Sequence, residues 1–162
     1  MLIDSHVHFW DRGRFDYPWL DLEGEGLRRD FGPIELADAA CTLESALDGL
    51  VFVQADCLPE QALAEASWAH DLAAQGAPIR AVVAQAPLEQ GLECAGHLAS
   101  LAQRPLVTGV RRLLQDEAPG FAVQPPFVRG VSLLAEYDMS LDLCVRDSQL
   151  REVTELAERC PD

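Results

Sequence analysis

The sequence has few basic residues, no long apolar run and no segment typical of a leader. Only 12 Lys and Arg accompany 27 Asp and Glu, which gives a formal net charge of −15. This balance disfavours nucleic acid and anionic membranes as partners. No apolar stretch approaches the roughly 20 residues of a membrane-spanning helix, and Asp4 and His6 interrupt the N-terminus before a signal-peptide core could form. We therefore expect no membrane partner and a cytoplasmic location.

The sequence also lacks closely spaced cysteines. Its five cysteines are far apart and form no CxxC pair: Cys41, Cys57, Cys94, Cys144 and Cys160. This spacing argues against a zinc ribbon and against a dithiol redox site. Buried free thiols are the expected state of such residues, and we interpret Cys57, near the end of a predicted strand, as structural.

Apolar runs alternate with helical patterns along the chain. The runs, each typical of a strand buried on both faces, are residues 2–7, 50–53, 79–84, 106–110 and 141–145. The helical stripes are Ala62/Ala66/Ala69/Ala73, Leu92/Ala95/Ala99/Ala102, Phe127/Val131/Leu134 and Leu150/Val153/Leu156/Cys160. A further stripe, Leu36/Ala40/Leu43/Leu47, predicts one or two helical pieces before the second strand. Residues 11–33 form a long irregular stretch, which inside a compact domain is usually functional.

This alternation predicts an α/β fold built from right-handed βαβ units around a parallel sheet. We expect a (β/α)8 TIM-barrel type of architecture. Because a complete barrel needs about 250 residues, the 162 residues would supply its first five βα units, as one domain over 1–162. A self-contained five-stranded open sheet is the alternative.

Two histidines mark the candidate site. Residues 2–9 read LIDSHVHF, and alternate residues of a strand point to the same side, so Asp4, His6 and His8 can project together. Barrel active sites form at the carboxyl ends of strands, where two imidazoles could hold a divalent metal. We interpret His6 and His8 as catalytic and metal-binding candidates. Two histidines are too few for a zinc site, so further ligands would have to come from elsewhere.

Four further motifs carry a family resemblance. DSHVHFW, Tyr17-Pro18-Trp19, Val53-Gln54-Ala55 and the segment GVRRLLQ together resemble the amidohydrolase superfamily, and within it the branch of sugar-lactone and dicarboxylate lactonases. The resemblance implies a (β/α)8 barrel in which water attacks a lactone carbonyl, with His6 and His8 matching the first-strand pair. It implies either a divalent metal, Zn or Mn, or a metal-independent site in which the pair orients substrate and water.

Other strand-end residues are candidates for substrate binding. Arg111 is expected to bind a carboxylate or lactone oxygen, whereas its neighbour Arg112 is expected to form structural salt bridges. Gln54 and Gln85 could hydrogen-bond sugar hydroxyls, and Trp10, with Tyr17 and Trp19, could form a pocket wall. His70 and His97 are expected to be exposed helix residues without a role. Glu60-Gln61 after the second strand and the strand end at Gln85 depart from the branch's usual pattern, which puts the substrate in doubt.

Three functions stay open at this point. The first is a hydrolase acting on a small carbonyl compound, and the second is a non-oxidative decarboxylase of the same superfamily. The third is an inactive fragment or half-barrel that assembles with a partner or as a homo-oligomer. Metal-dependent DNases and phosphoesterases also begin with HxH, but the HFW and YPW aromatics and the acidic charge disfavour them.

Overall fold

Five strands alternate with five helices in the computed structural model, which describes residues 1–42 and 47–161. The strands are β1 (Ile3–Val7), β2 (Gly49–Val53), β3 (Ile79–Gln85), β4 (Val107–Leu113) and β5 (Ser140–Cys144). The helices are α1 (Pro33–Ala40), α2 (Ala62–Ala74), α3 (Ala95–Ala102), α4 (Pro125–Ser132) and α5 (Leu150–Arg159). Short 3₁₀ helices precede several of them. The predicted α/β class and its five βα units are confirmed.

The chain groups into two compact units, residues 1–84 and residues 85–162. In the first unit β1 pairs with β2 and β2 pairs with β3, both in parallel. In the second unit β4 pairs with β5 in parallel, with five consecutive residues in register from Gly109 opposite Ser140 onward. The prediction of one domain over the whole chain stays a prediction.

An irregularity interrupts β1 beside the predicted site. Asp4 lies opposite Leu50, and Val7 lies opposite Phe52, so three steps along β1 match two steps along β2. The extra residue makes a bulge at the position of Ser5 and His6. Bulges break the regular alternation of a strand and re-aim side chains, often next to active sites.

The irregular stretch predicted over residues 11–33 ends one residue earlier, because α1 begins at Pro33, and residues 11–32 are called the first loop. A single antiparallel bridge closes it, because Trp10 and Phe31 exchange two backbone hydrogen bonds of 2.9 and 3.0 Å. An aromatic cluster forms between the first loop, the segment after β2 and α2, and it contains all three tryptophans of the sequence. Trp10, Phe15, Tyr17 and Leu20 pack with Ala55 and Cys57, and Trp19, Phe31 and Trp68 cover them. The first loop is therefore packed against the end of β2 and against α2 through this cluster.

Two helical predictions need correction. The stripe of α3 is wrong, because Leu92 is 64 % exposed and the buried residues are Cys94, Leu98 and Leu101. The longer leucine side chains bury more apolar area than the alanines of the predicted stripe. Leu47 lies beyond α1 and belongs to no helix, while Leu43 lies outside the described residues. No helix of the described ranges is long and apolar enough to span a membrane.

Close backbone packing sets the position of α4 in the second unit. A Cβ built on Gly130 would lie 2.0 Å from the carbonyl oxygen of Leu88, so α4 contacts the 3₁₀ segment Leu88–Cys94, which precedes α3, without any side chain between them. Phe127, Val131 and Leu134 are buried, as their spacing predicts. Gly96, near the start of α3, has no atom within 4 Å of such a Cβ.

We expect opposite effects from alanine at these two glycines. Gly130→Ala should destabilise the protein by about 1–3 kcal/mol, because the methyl group forces the helix away from a backbone carbonyl. Gly96→Ala should stabilise it by about 0.4–1 kcal/mol through reduced chain entropy and higher helix propensity. Urea denaturation of both variants measures the two free energies. A Gly130→Ala variant as stable as the wild type would contradict the packing described here.

Candidate active site

A backbone carbonyl determines the protonation pattern of His8. His8 follows β1 and is half-buried, and its Nδ1 lies 2.8 Å from the carbonyl oxygen of Val53, the last residue of β2. A carbonyl oxygen can only accept, so Nδ1 carries the hydrogen and donates it. In the neutral imidazole Nε2 then carries a lone pair, which is the arrangement found in metal-binding histidines.

His6 and His8 meet through their Nε2 atoms. These atoms are 3.1 Å apart, and the rings are in a T-shaped arrangement with centroids 4.8 Å apart. Because Nε2 of neutral His8 is an acceptor, Nε2 of His6 is the donor in the neutral pair. Asp4, expected to join them, has its Oδ1 3.1 Å from the backbone N–H of His6 instead.

The pair suits part of a metal site. Two nitrogens 3.1 Å apart can both reach one ion at the roughly 2.0–2.1 Å typical of zinc–imidazole bonds. To ligate through Nε2, His6 must carry its proton on Nδ1. Within the described residues, no group of three or more His, Cys, Asp and Glu side chains is arranged to hold a metal ion.

The segment after β2 is held at nearly every peptide unit. The N–H of Gln54 donates to the carbonyl of Val83 at 2.8 Å, and the Gln54 side-chain oxygen accepts from the N–H of Asp56 at 2.5 Å. Asp56 has a φ of 60°, a left-handed conformation that aspartate tolerates better than most residues. The carbonyl of Ala55 accepts from the indole N–H of Trp19 at 2.7 Å. The hydrogen bond from Trp19 thus links the first loop to the segment after β2.

A buried carboxyl group, Glu65 of α2, lies under this segment. Its side chain is almost completely inaccessible, and its oxygens accept from the N–H of Ala55 at 3.2 and 3.4 Å and from the Tyr17 hydroxyl at 3.3 Å. The Cys57 thiol also hydrogen-bonds to it. Burial raises the pKa of the Glu65 carboxyl from 4.5 to about 7, and these hydrogen bonds offset only part of that effect.

Sequence reasoning missed Glu65, although the pattern contained a signal. Residues Ala62, Ala66 and Ala69 form the buried stripe of α2, and Glu65 lies on the same face. A glutamate among buried alanines is a buried charge that needs donors. The predicted departure at Glu60-Gln61 has a structural role instead, since the Gln61 amide binds the backbone N–H and the carboxylate of Asp16.

Two predicted substrate contacts have partners within the first unit. Trp10 is buried in the aromatic cluster, where its indole N–H donates to the carbonyl of Arg29 at 2.7 Å. Gln54 is also buried, with its side-chain oxygen on Asp56. Tyr17 and Trp19 pack in the same cluster and hold Glu65 and Ala55 respectively. The substrate roles of Trp10 and Gln54 stay predictions.

In the second unit, Arg111 and Arg112 lie on opposite faces of β4, since neighbours along a strand alternate. Arg112 pairs with Glu89 at 3.1 Å and Glu117 at 2.7 Å, which confirms its predicted salt bridges. Arg111 is half-buried on the other face. Gln85 ends β3, and its Oε1 is buried with no hydrogen-bond partner among the described residues. Their substrate roles stay predictions.

His70 and His97 are half-buried, and Cys57 is fully buried. The predicted exposure of the two histidines is therefore wrong, and the His97 Nε2 lies 3.0 Å from the Gln85 carbonyl. Burial lowers the pKa of His97. Burial also raises the pKa of the Cys57 thiol far above its usual range, in agreement with its predicted structural role.

Comparison with solved structures shows which class of protein this chain resembles. The chain superposes with a TM-score of 0.76 and 32% identity on a crystal structure of an amidohydrolase from Burkholderia multivorans with bound Zn, covering 98% of this chain and 54% of that one. The predicted resemblance to the amidohydrolases, and to part of their barrel, is therefore confirmed. No protein-family model matches the chain.

The relatives among curated proteins are more specific. The chain is 34% identical over 161 residues to a protein named L-fucono-1,5-lactonase from Burkholderia multivorans, and 29% identical over 160 residues to one of the same name from Burkholderia ambifaria. The matches cover 97% and 98% of this chain but only 51% and 53% of those proteins. The chain thus spans about half the length of the lactonases that it resembles.

Glu65 should make stability depend on pH in a defined direction. Its pKa in the folded protein, about 7, lies above its usual 4.5, so the stabilising contribution is complete below pH 4.5 and is lost as the pH rises to about 7. Relative to Glu65→Gln, which does not titrate, the wild type should lose about 3 kcal/mol over this interval. Tyr17, Asp56 and Cys57 are the titratable groups that face Glu65.

Urea denaturation at a series of pH values measures this difference. Glu60→Gln is the matched control, because Glu60 is exposed at the beginning of the same helical segment. Its difference from the wild type should stay nearly constant with pH. A constant difference for Glu65→Gln as well would show that the buried carboxyl does not titrate in this interval.

Proposed function

We propose that the protein is a hydrolase that opens the ring of a sugar-acid or dicarboxylate lactone. The observation that carries the proposal is the convergence of the His6 and His8 Nε2 atoms, 3.1 Å apart, at the end of the first strand. The similarity to proteins named L-fucono-1,5-lactonase supports the same reaction class. In barrel enzymes, the carboxyl ends of the strands are where substrates react.

The reaction is a hydrolysis without change of oxidation state. The oxygen of water bonds to the carbonyl carbon of the lactone, the ring carbon–oxygen bond breaks, and the released oxygen takes a proton that originates from the water. The product is the open-chain hydroxy acid. The bond from Nδ1 to Val53 leaves a lone pair on His8 Nε2. Once the Nε2–H of His6 no longer donates to it, that lone pair is suited to hold the attacking water or a cation.

We propose His6 and His8 as the protein's ligands from this strand for a divalent cation, Zn or Mn. When bound, such an ion supplies Lewis-acid polarisation of the lactone carbonyl and favours ionisation of water. His8 is already oriented by Val53, whereas His6 must carry its proton on Nδ1 and turn its ring so that its Nε2 faces the ion.

Four further residues are proposed to contact substrate. Arg111 offers a planar guanidinium for a carboxylate or ring oxygen. The buried Oε1 of Gln85 needs a donor, such as a sugar hydroxyl, because an unsatisfied buried acceptor costs about 1–3 kcal/mol. Gln54, in the segment after β2, and Trp10, just before the first loop, are proposed to line the substrate site. A cytoplasmic location and self-association stay predictions.

Alanine at either histidine should abolish most of the activity. In the protein expressed from its complete natural gene, His6→Ala and His8→Ala should each lower kcat/KM for L-fucono-1,5-lactone by about 10²–10⁴-fold. Each substitution removes a group at the reacting centre. Zn²⁺ affinity, measured by calorimetry, should fall in the same variants. His70→Ala is the control, because His70 lies on α2 outside this pair.

Two results would contradict the assignment. Full turnover in both histidine variants would exclude the pair from catalysis. Release of CO₂ from a carboxylic acid substrate, with no ring opening of any lactone tested, would instead identify a decarboxylase.

Arg111 and Arg112 provide a matched pair for substrate recognition. Arg111→Lys should raise KM about tenfold or more with a smaller change in kcat, because lysine cannot form a bidentate contact. Arg112→Lys should lower stability, since Arg112 joins Glu89 and Glu117, and should leave KM unchanged. Steady-state kinetics and thermal unfolding of both variants measure these effects. An unchanged KM in Arg111→Lys would remove Arg111 from the proposed site.

A further inference from the structure

Glu65 stands out among the groups that the proposed reaction does not use. It is a nearly inaccessible carboxyl group with no cation among its hydrogen-bond partners in the described residues. Its partners come from two separate parts of the first unit. Tyr17 belongs to the first loop, and Ala55 follows β2 by two residues. A carboxyl group that joins two segments beside a candidate site suggests more than packing.

The segment that contains Ala55 is linked to His8 by a hydrogen bond. Val53, whose carbonyl accepts from His8 Nδ1, is two residues before Ala55. Glu65 accepts from the N–H of Ala55, while Trp19 donates to the carbonyl of the same residue at 2.7 Å. Ala55 is therefore held at both of its polar backbone atoms, once from α2 and once from the first loop.

We propose that Glu65 is a positioning residue of the candidate site: it fastens the segment after β2 and the first loop together and so keeps the Val53 carbonyl aligned on His8. The role requires an acceptor at this position more than a charge. A glutamine retains one acceptor oxygen for Ala55, whereas a methionine of similar size fills the space without a strong acceptor. The proposal rests on the proposed function only in treating His8 as a site residue.

The test compares four proteins by the nitrogen resonances of His8. In ¹⁵N-labelled wild type, Glu65→Gln and the control Glu60→Gln, the Nδ1 shift should report a protonated nitrogen, the tautomer fixed by Val53. In Glu65→Met the tautomers should mix, the Ala55 amide should exchange faster with solvent, and Zn²⁺ binding should weaken about tenfold. Tryptophan fluorescence should change in Glu65→Met alone, because all three tryptophans lie in the adjoining cluster.

The outcomes separate positioning from mere stability. Loss of the His8 tautomer in Glu65→Met together with its recovery in Glu65→Gln supports the proposal. A wild-type His8 signal in folded Glu65→Met overturns it, even where that variant is less stable. If Glu65→Met does not fold, Trp19→Phe withdraws the other hydrogen bond to Ala55 and should shift His8 in the same direction, and an unchanged signal there overturns the proposal.

These readouts do not depend on turnover. If no lactone is hydrolysed but the His8 tautomer follows Glu65, the proposed function fails and the positioning role stands. If the histidine variants abolish lactone hydrolysis but the His8 tautomer is unchanged by substitution of Glu65, only the positioning role fails.

Discussion

The hydrogen bond from His8 to the Val53 carbonyl is the contact on which the candidate site depends. A carbonyl oxygen accepts and never donates, so this one 2.8 Å contact fixes which nitrogen of His8 holds the proton. The lone pair of Nε2 and the donor role of His6 in the neutral pair both follow from it. The end of β2 is therefore part of the site's chemistry as well as its support.

A strand end is a weak place for such a contact unless the following segment is also held. Here a buried carboxyl group, an indole and a left-handed aspartate hold the peptide units after Val53. The carboxyl group is costly, as the raised pKa of Glu65 shows, because burial penalises its charged form. Proteins accept local instability of this kind where it keeps functional groups in place.

Some features of the structure could be predicted from the sequence because they have a clear pattern of residue types, and others could not. The strands were predictable because buried parallel strands are near-continuous apolar runs, and His6 and His8 because polar residues that end such a run are conspicuous. The exposed side of α3 was misjudged because alanine and leucine count alike in a periodic pattern but bury different areas. Glu65 was missed because a charge in a helix normally faces solvent. The bulge at Ser5 and His6 has no signature in residue type.

The two forms of the site that the family resemblance implies, with and without a metal, differ in this chain by the position of one proton. With the proton on Nε2 of His6, the pair is a hydrogen-bonded couple whose Nε2 atoms are 3.1 Å apart, and a water molecule would have to come between them to be held by both. With that proton on Nδ1, each Nε2 atom has a lone pair, and the two nitrogens are close enough to share one divalent ion after the rings turn. Because Val53 fixes His8 in either case, the choice falls on His6, the more exposed of the two. A third ligand from elsewhere in the protein would favour the ion by adding the coordination that two imidazoles lack. The two histidines at the end of the first strand are thus compatible with both forms, and the presence or absence of a third ligand decides which one is adopted.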